Sequence, residues 1–566
     1  MRNYLFVALL ALAACRGTRI TAPIDAYHVT VQKKAEATHG AVVSAHPLAS
    51  QVGLSILKAG GNAVDAAIAT QLALAVVYPG AGNIGGGGFM VARLADGKSL
   101  ALDYRETAPA AAHRDIYLDA QGNVIEGASV NGHRAGGVPG TVAGLFESHR
   151  YGRLPFRRLI EPAIQLAEKG FVLTEREAAG LNNIQQDLAR YNTRPNAFQK
   201  SGRWKGGDTL LQPELAATLR RIRDGGAAGF YSGETARLIV DEMQRGSGLI
   251  TPADLSAYKA KWREPHTFTY KGHEVIGMPM PSSGGTLLHA MMKMVEEWPI
   301  YTYGHNTPET VNLMAEAERR AYADRAEHMG DADFYPVPEK ALVSEAYLRD
   351  RMKDYVPGKA GNSTLIKPGT PGKESEQTTH LSVLDGEGNA VSVTTTLNNS
   401  YGSKTVIGGA GFLLNDEMDD FSAKPGVPNI YGAVGGAANA VAPGKRMLSS
   451  MTPTIVLKDG KPWIVVGTPG GTTIPTSVFQ ALVNIIDLQL DAETAINAPK
   501  FHHQWLPDVL YVEKGFPADV RTRLEAMGYK IEERGQIGRT EIIQVRDNGT
   551  IIAVGDRRGD DDARGY

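Results

Sequence analysis

The chain has 566 residues, 43% hydrophobic and 21% charged, with a formal net charge of −2. That is globular composition, long enough for one large or two medium cores, and the near-neutral balance gives no electrostatic grounds for binding nucleic acid or an anionic membrane. The single cysteine, Cys15, excludes an intramolecular disulfide.

Met1-Arg2-Asn3 precedes an apolar run, residues 4–14. One positive charge before a short apolar core reads as a secretory signal, too short to span a bilayer. Leu12-Ala13-Ala14-Cys15 resembles the bacterial lipoprotein signal, in which the cysteine is lipidated and becomes the first residue. The expectation is therefore a signal at 1–14, a lipid anchor on Cys15 and a place in the periplasm or cell envelope. A plain signal peptide cut near Ala14 is the alternative. Residues 15–35 are polar and poorly patterned, and read as a tether.

Residues 46–78 carry apolar residues at helical spacing, split by Gly60-Gly61, so two packed helices are expected. The second is apolar but holds Asp65 and Gln71, which marks a buried helix rather than a membrane span. Asn83-Ile84-Gly85-Gly86-Gly87-Gly88 fits neither G-x-G-x-x-G nor a P-loop. It reads instead as backbone packed tightly under an adjacent strand. Residues 100–109 form a strand entering a loop that carries Arg105. Gly136-Gly137-Val138-Pro139-Gly140-Thr141 is a turn before a helix. Residues 159–260 read as mainly helical, 270–280 as strand. Helices are expected after Pro281-Ser282-Ser283-Gly284-Gly285-Thr286 and over 308–328.

A polar run rich in Pro and Gly, residues 356–376, precedes Gln377. Then Leu381, Val383, Val391 and Val393 alternate with polar residues around Asp385-Gly386-Glu387-Gly388-Asn389. Period-two alternation broken by turn residues predicts a β-hairpin, with Thr378 at the start of its first strand. The chain becomes strand-rich, with a helix over 474–486 and short αβ elements to the end. His502-His503 lacks metal-ligand spacing: neighbours point to opposite faces of a strand, and no H-E-x-x-H is present. No metal is expected. Asp560-Asp561-Asp562 reads as a solvated charge run.

Several of these stretches carry a resemblance. Gln377-Thr378-Thr379-His380-Leu381-Ser382-Val383, the Asp385–Asn398 hairpin, Asn415-Asp416-Glu417-Met418-Asp419-Asp420-Phe421, Leu448-Ser449-Ser450-Met451 and Gly467-Thr468-Pro469-Gly470-Gly471 resemble, in order and spacing, the γ-glutamyltransferase family. The resemblance covers nearly all of the chain after the signal. It implies an α+β fold, the four-layer αββα sandwich of N-terminal-nucleophile hydrolases, formed jointly by a large part (36–377) and a small part (378–566). These arise by self-cleavage between Gln377 and Thr378 and stay together as a heterodimer.

The resemblance also implies the site. Thr378 is the nucleophile toward γ-glutamyl amides such as glutathione; amino acids, peptides or water take the acyl group. A threonine at a new chain end carries a hydroxyl and an α-amine of pKa roughly 8, so one residue supplies nucleophile and base. Thr396 hydrogen-bonds the nucleophile, and Gly470 and Gly471 form the oxyanion hole. Arg105, Ser449 and Ser450 hold the α-carboxylate; Asn398, Glu417 and Asp420 hold the α-ammonium. A guanidinium fork suits a carboxylate, and two acids suit an ammonium. Tyr431 lies in a Gly/Pro-rich stretch, 425–436, that resembles a lid. No cofactor is required. Membrane contact is expected only through the anchor. Two alternatives are a β-lactam side-chain acylase of the same family and a catalytically silent, lipid-tethered binding protein.

Overall fold

The computed structural model describes residues 24–366, 378–422, 424 and 436–566. The expectations for Cys15, Gln377 and Tyr431 lie outside the described residues. Among these residues, most strands fall in two seven-stranded sheets, antiparallel throughout. Sheet I runs in the order Asp562–Gly565, Ala41–Ser44, Thr379–Leu384, Ala390–Thr396, Gly87–Arg93, Ser99–Asp103, Lys261–Arg263. Sheet II runs Lys34–Ala37, Ile551–Val554, Glu541–Val545, Lys461–Gly467, Thr454–Lys458, His273–Gly277, His266–Tyr270.

The sheets stack face to face. Val43, Phe89 and Val91 of sheet I meet Ile276, Ile455, Val465 and Ile543 of sheet II in one buried core. Helices Pro47–Lys58 and Ala63–Val77 cover the outer face of sheet I, packing on Val42, Leu381, Val383, Val391 and Val393. Helices Gly284–Val295, Pro308–His328 and Thr473–Ile486 cover sheet II. The result is the expected four-layer αββα sandwich, with each sheet buried on both faces.

Local chemistry explains the helical layer over sheet I. Gly60 turns the chain at φ +91°, a conformation that costs glycine little. Asn62 then caps the next helix, its side chain accepting from Asp65 N–H while Asp65 returns a bond to the Asn62 N–H. All fifteen residues of that helix are buried, which accounts for its membrane-like composition. Among the described residues no helix is long and apolar enough to cross a membrane.

The expected hairpin forms, with Leu381 opposite Val393 and Val383 opposite Val391. Its polar positions, however, do not face water. Ser382 reaches the Val465 carbonyl (3.3 Å) and Ser392 the Val466 carbonyl (3.2 Å) in sheet II, while His380 sits between Thr394 and Ser382. These small hydroxyls satisfy one another and the facing backbone, so the polar face is buried between the sheets. The glycine run behaves as read: a Cβ on Gly86 would lie 2.1 Å from the Thr396 carbonyl oxygen, and one on Gly88 2.6 Å from that of Thr394.

Three stretches differ from expectation. Residues 270–280, read as one strand, hold the turn Lys271-Gly272 between the paired strands His266–Tyr270 and His273–Gly277. Residues 24–35, read as part of a tether, are docked on the body. The Tyr27 hydroxyl donates to Lys169 O at 2.8 Å, Gln32 N–H donates to Asp562, and Lys34–Ala37 forms the edge of sheet II. The Asp560–Asp562 run is not solvated either, because Asp561 and Asp562 are fully buried. Asp562 opens the last strand of sheet I and accepts from Gln32 N–H and Arg564; Asp561 lies 3.6 Å from Arg539. Nearby cations and backbone donors offset the cost of burying these acids.

Candidate active site

The site lies where the Thr379–Leu384 and Ala390–Thr396 strands end at the edge of the inter-sheet layer. Thr378 is buried and immediately precedes the first strand. Continuing the register Thr379–Thr395 by one residue sets Thr378 opposite Thr396. Both then point to the inter-sheet face shared with His380 and Ser382, whereas Thr379, Leu381 and Val383 take the helix-facing side. The Thr396 hydroxyl oxygen accepts the Asn398 N–H at 2.7 Å. Asn398 adopts φ +72°, and its side-chain amide donates to Asp416 O at 3.0 Å, which fastens the turn after the strand.

Gly470 and Gly471 close one side. Their φ values, +140° and +58°, lie in the region that favours glycine. A Cβ on Gly470 would stand 2.4 Å from Thr473 Oγ1. Their carbonyls accept the N–H groups of Thr473 and Ile474 at the start of helix Thr473–Ile486. The two glycine amides thus precede a helix N-terminus, an arrangement suited to a developing negative charge.

Arg105 follows strand Ser99–Asp103 and is fully buried. Its backbone carbonyl is held by the Tyr258 hydroxyl at 2.7 Å and by Arg446 Nε at 3.2 Å. The guanidinium donates to Glu417 and Asp420, which flank a short 3-10 turn, and to the carbonyls of Met447 (3.3 Å) and Leu448 (3.2 Å). The groups expected to grip the two opposite charges of a substrate are therefore paired with each other here. A single cavity, about 10 Å³ in volume, is lined by Arg105, Thr378, Thr396, Asn398, Glu417, Asp420, Ser449, Ser450 and Gly471. Of the sequence-derived residues within the described range, only Gly470 is not on that wall, and it lies next to Gly471.

Sequence reasoning missed Glu106. Its carboxylate is fully buried, lies 3.9 Å from Arg105 Nη1 and has no hydrogen-bond partner on either oxygen. Nothing in the sequence separates it from an ordinary surface glutamate beside an arginine. Burial pushes its carboxyl up to about 8 despite the opposing pull of Arg105. Burial likewise raises Glu417 and Asp420 against the same guanidinium. Burial works against the charge of Arg105, but the surrounding acids outweigh it and hold that pKa high. Three buried carboxyls thus crowd one cation, and burial opposes the charge of each. Glu417 Oε2, Asp420 Oδ1 and Ser450 Oγ also lack partners. Such buried, unsatisfied groups are costly unless a ligand completes them.

Among the described residues no three His, Cys, Asp or Glu side chains are placed to hold a metal. His502 is bonded to Thr476 and Gln504, and His503 to Asp508.

Residues 49–566 match the gamma-glutamyltranspeptidase family. The glutathione hydrolase proenzyme of Escherichia coli (strain K12) is 48% identical over 530 residues, which is 93% of this chain and 91% of that protein. The crystal structure of a cephalosporin acylase from Bacillus halodurans superposes with a TM-score of 0.83 at 28% identity, covering 96% of this chain and 99% of that one. A chain of Helicobacter pylori gamma-glutamyltranspeptidase gives a TM-score of 0.57 at 42% identity, covering 61% of this chain and 97% of its own.

Proposed function

The chain belongs to the gamma-glutamyltranspeptidase family, and on that premise we propose that it cleaves γ-glutamyl amides such as glutathione through an acyl-enzyme on Thr378. Water releases glutamate, or an amino acid or peptide amine takes the γ-glutamyl group. The observation that carries this reading is the convergence of Thr378 with Arg105, Glu417, Asp420, Asn398, Ser449 and Ser450 on one cavity.

Maturation comes first. The Thr378 hydroxyl attacks the Gln377 carbonyl, and water opens the resulting ester. The products are the large part ending at Gln377 and the small part 378–566, which remain together as a heterodimer. The freed α-amine of Thr378, with a pKa of roughly 8, is partly neutral at physiological pH and serves as the base. Thr396 steadies the nucleophile, and the Gly470 and Gly471 amides receive the oxyanion.

Substrate binding exchanges ion pairs rather than adding charge. The substrate's α-carboxylate replaces Glu417 and Asp420 on Arg105, with Ser449 and Ser450 beside it. Its α-ammonium takes over Glu417 and Asp420, with Asn398. A zwitterion therefore enters a buried ionic site without leaving any charge unpaired, which is the condition under which such a site is affordable. The acylase alternative fits less well: an acyl chain with a carboxylate but no amino group would take Arg105 from the two acids and bring them no cation in return.

The test is glutamate release from glutathione by purified, cut protein. A catalytically silent binder would bind glutathione and release none. The lipid anchor is part of the same proposal. A Cys15→Ser chain should move from the detergent phase to the aqueous phase on fractionation, since stable attachment needs the acyl chains. Identical partitioning of both proteins would remove the anchor.

A further inference from the structure

The cleaved amide has two halves, and the reading above places only the γ-glutamyl half, on the ionic side of Thr378. A second cavity, about 340 Å³, reaches Thr378 from another side. Thr378 is the one lining residue the two cavities share, and Gly470 and Gly471 divide between them. A carbonyl held on those glycine amides would thus have the ionic pocket behind it and the larger cavity ahead of it. Tyr78, Leu173, Tyr401 and Pro469 are among the residues lining the second cavity, and Arg176 lines it as well.

We propose that this larger cavity receives the leaving group and then the acceptor, and that Arg176 selects those ending in a free carboxylate. The inference rests on the γ-glutamyl reading above and adds the second substrate's chemistry to it. The other ionic groups on the wall are already engaged. Glu177 lies 3.0 Å from His46, Arg539 faces Asp561 and stacks over Tyr78, and Asp560 accepts the Thr174 hydroxyl. Arg176, on helix Glu175–Asn183, is exposed and has no ion pair or hydrogen bond among the described residues. A guanidinium offers the two-pronged geometry a terminal carboxylate accepts. An α-amino acid or short peptide would place its amine at Thr378, its side chain against the aromatic wall and its carboxylate toward Arg176. The volume falls within the usual range of small-molecule pockets, about 300–1,000 Å³.

The experiment uses the cut enzyme with a γ-glutamyl anilide as donor and two acceptors, glycylglycine and glycylglycine amide. Arg176→Ala should raise the KM for glycylglycine about fivefold, the scale of an exposed ion pair. It should leave the KM for the amide, and hydrolysis of the anilide without acceptor, unchanged. Arg176→Lys should recover part of the preference. If both acceptors weaken equally, or neither changes, the assignment of Arg176 is overturned while the γ-glutamyl reading stands. A wild-type enzyme inert toward the anilide would overturn that reading and this inference together.

Discussion

Thr378→Ala should leave a single uncut chain, with activity lower by at least about four orders of magnitude, the usual scale for removal of a catalytic nucleophile. Thr379→Ala, one residue on, should still be cut and active. The contrast follows from the pleat of one strand. Thr379 pairs with Thr395 and takes the helix-facing side with Leu381 and Val383. Its hydroxyl is buried and makes no hydrogen bond, so its removal costs a methyl contact and no polar partner. Thr378 falls opposite Thr396, on the side that opens to the glycine amides and to Arg105. A denaturing gel separates the outcomes, and N-terminal sequencing of the small chain fixes the cut. A first residue other than Thr378, or full activity in uncut Thr378→Ala protein, would sink the mechanism.

The second large effect concerns Arg105. Arg105→Lys should raise the KM for a γ-glutamyl anilide by about two orders of magnitude, while self-cleavage proceeds at nearly the wild-type rate. Arg105 spans two carboxylates and two backbone carbonyls at once. A lysine keeps the charge but offers one point where the site presents a fork, and the loss of a charge-assisted two-pronged contact is of that size. Cleavage at Gln377–Thr378 requires the Thr378 hydroxyl and the oxyanion donors, and no α-carboxylate takes part in it. Parallel measurement of precursor processing and anilide kinetics distinguishes the possibilities. Equal losses in both would indicate a misfolded chain, and an unchanged KM would remove Arg105 from the site.

Local pattern is legible in several elements, although the Lys271-Gly272 turn between His266–Tyr270 and His273–Gly277 is lost in a stretch that reads as one strand. Helix Pro308–His328 has the expected bounds, and the hairpin expected around residues 385–389 is present. The glycine run 85–88 packs against strand backbone as its composition indicated. What escaped reading depends on partners distant in sequence. Asp562 is 518 positions from Ser44, its neighbour in sheet I, so no local signal marks it as buried. Ser382 and Ser392 look like the wet face of a strand until sheet II is laid on them. Arg105 and Glu417 were assigned from resemblance to opposite ends of a substrate. Their mutual pairing, and the part of Glu106 beside them, follow only from a folded pocket that must balance its own charge.

The order of the sheets has a consequence for how the protein comes apart. In sheet I, Ala41–Ser44 lies between two strands from beyond position 378. In sheet II, four consecutive strands from beyond that position are flanked on both sides by earlier ones. Before any cut, unfolding is a one-body event, and the chain ends never lose each other. A cut before Thr378 would alter the molecularity: unfolding would then yield two diffusing pieces, and recovery would become a second-order search that slows with dilution. Neither piece holds a complete sheet, so each carries bare strand edges open to the wrong partner. Maturation would thereby turn a fold that can be regained into one that is held chiefly by the height of its unfolding barrier.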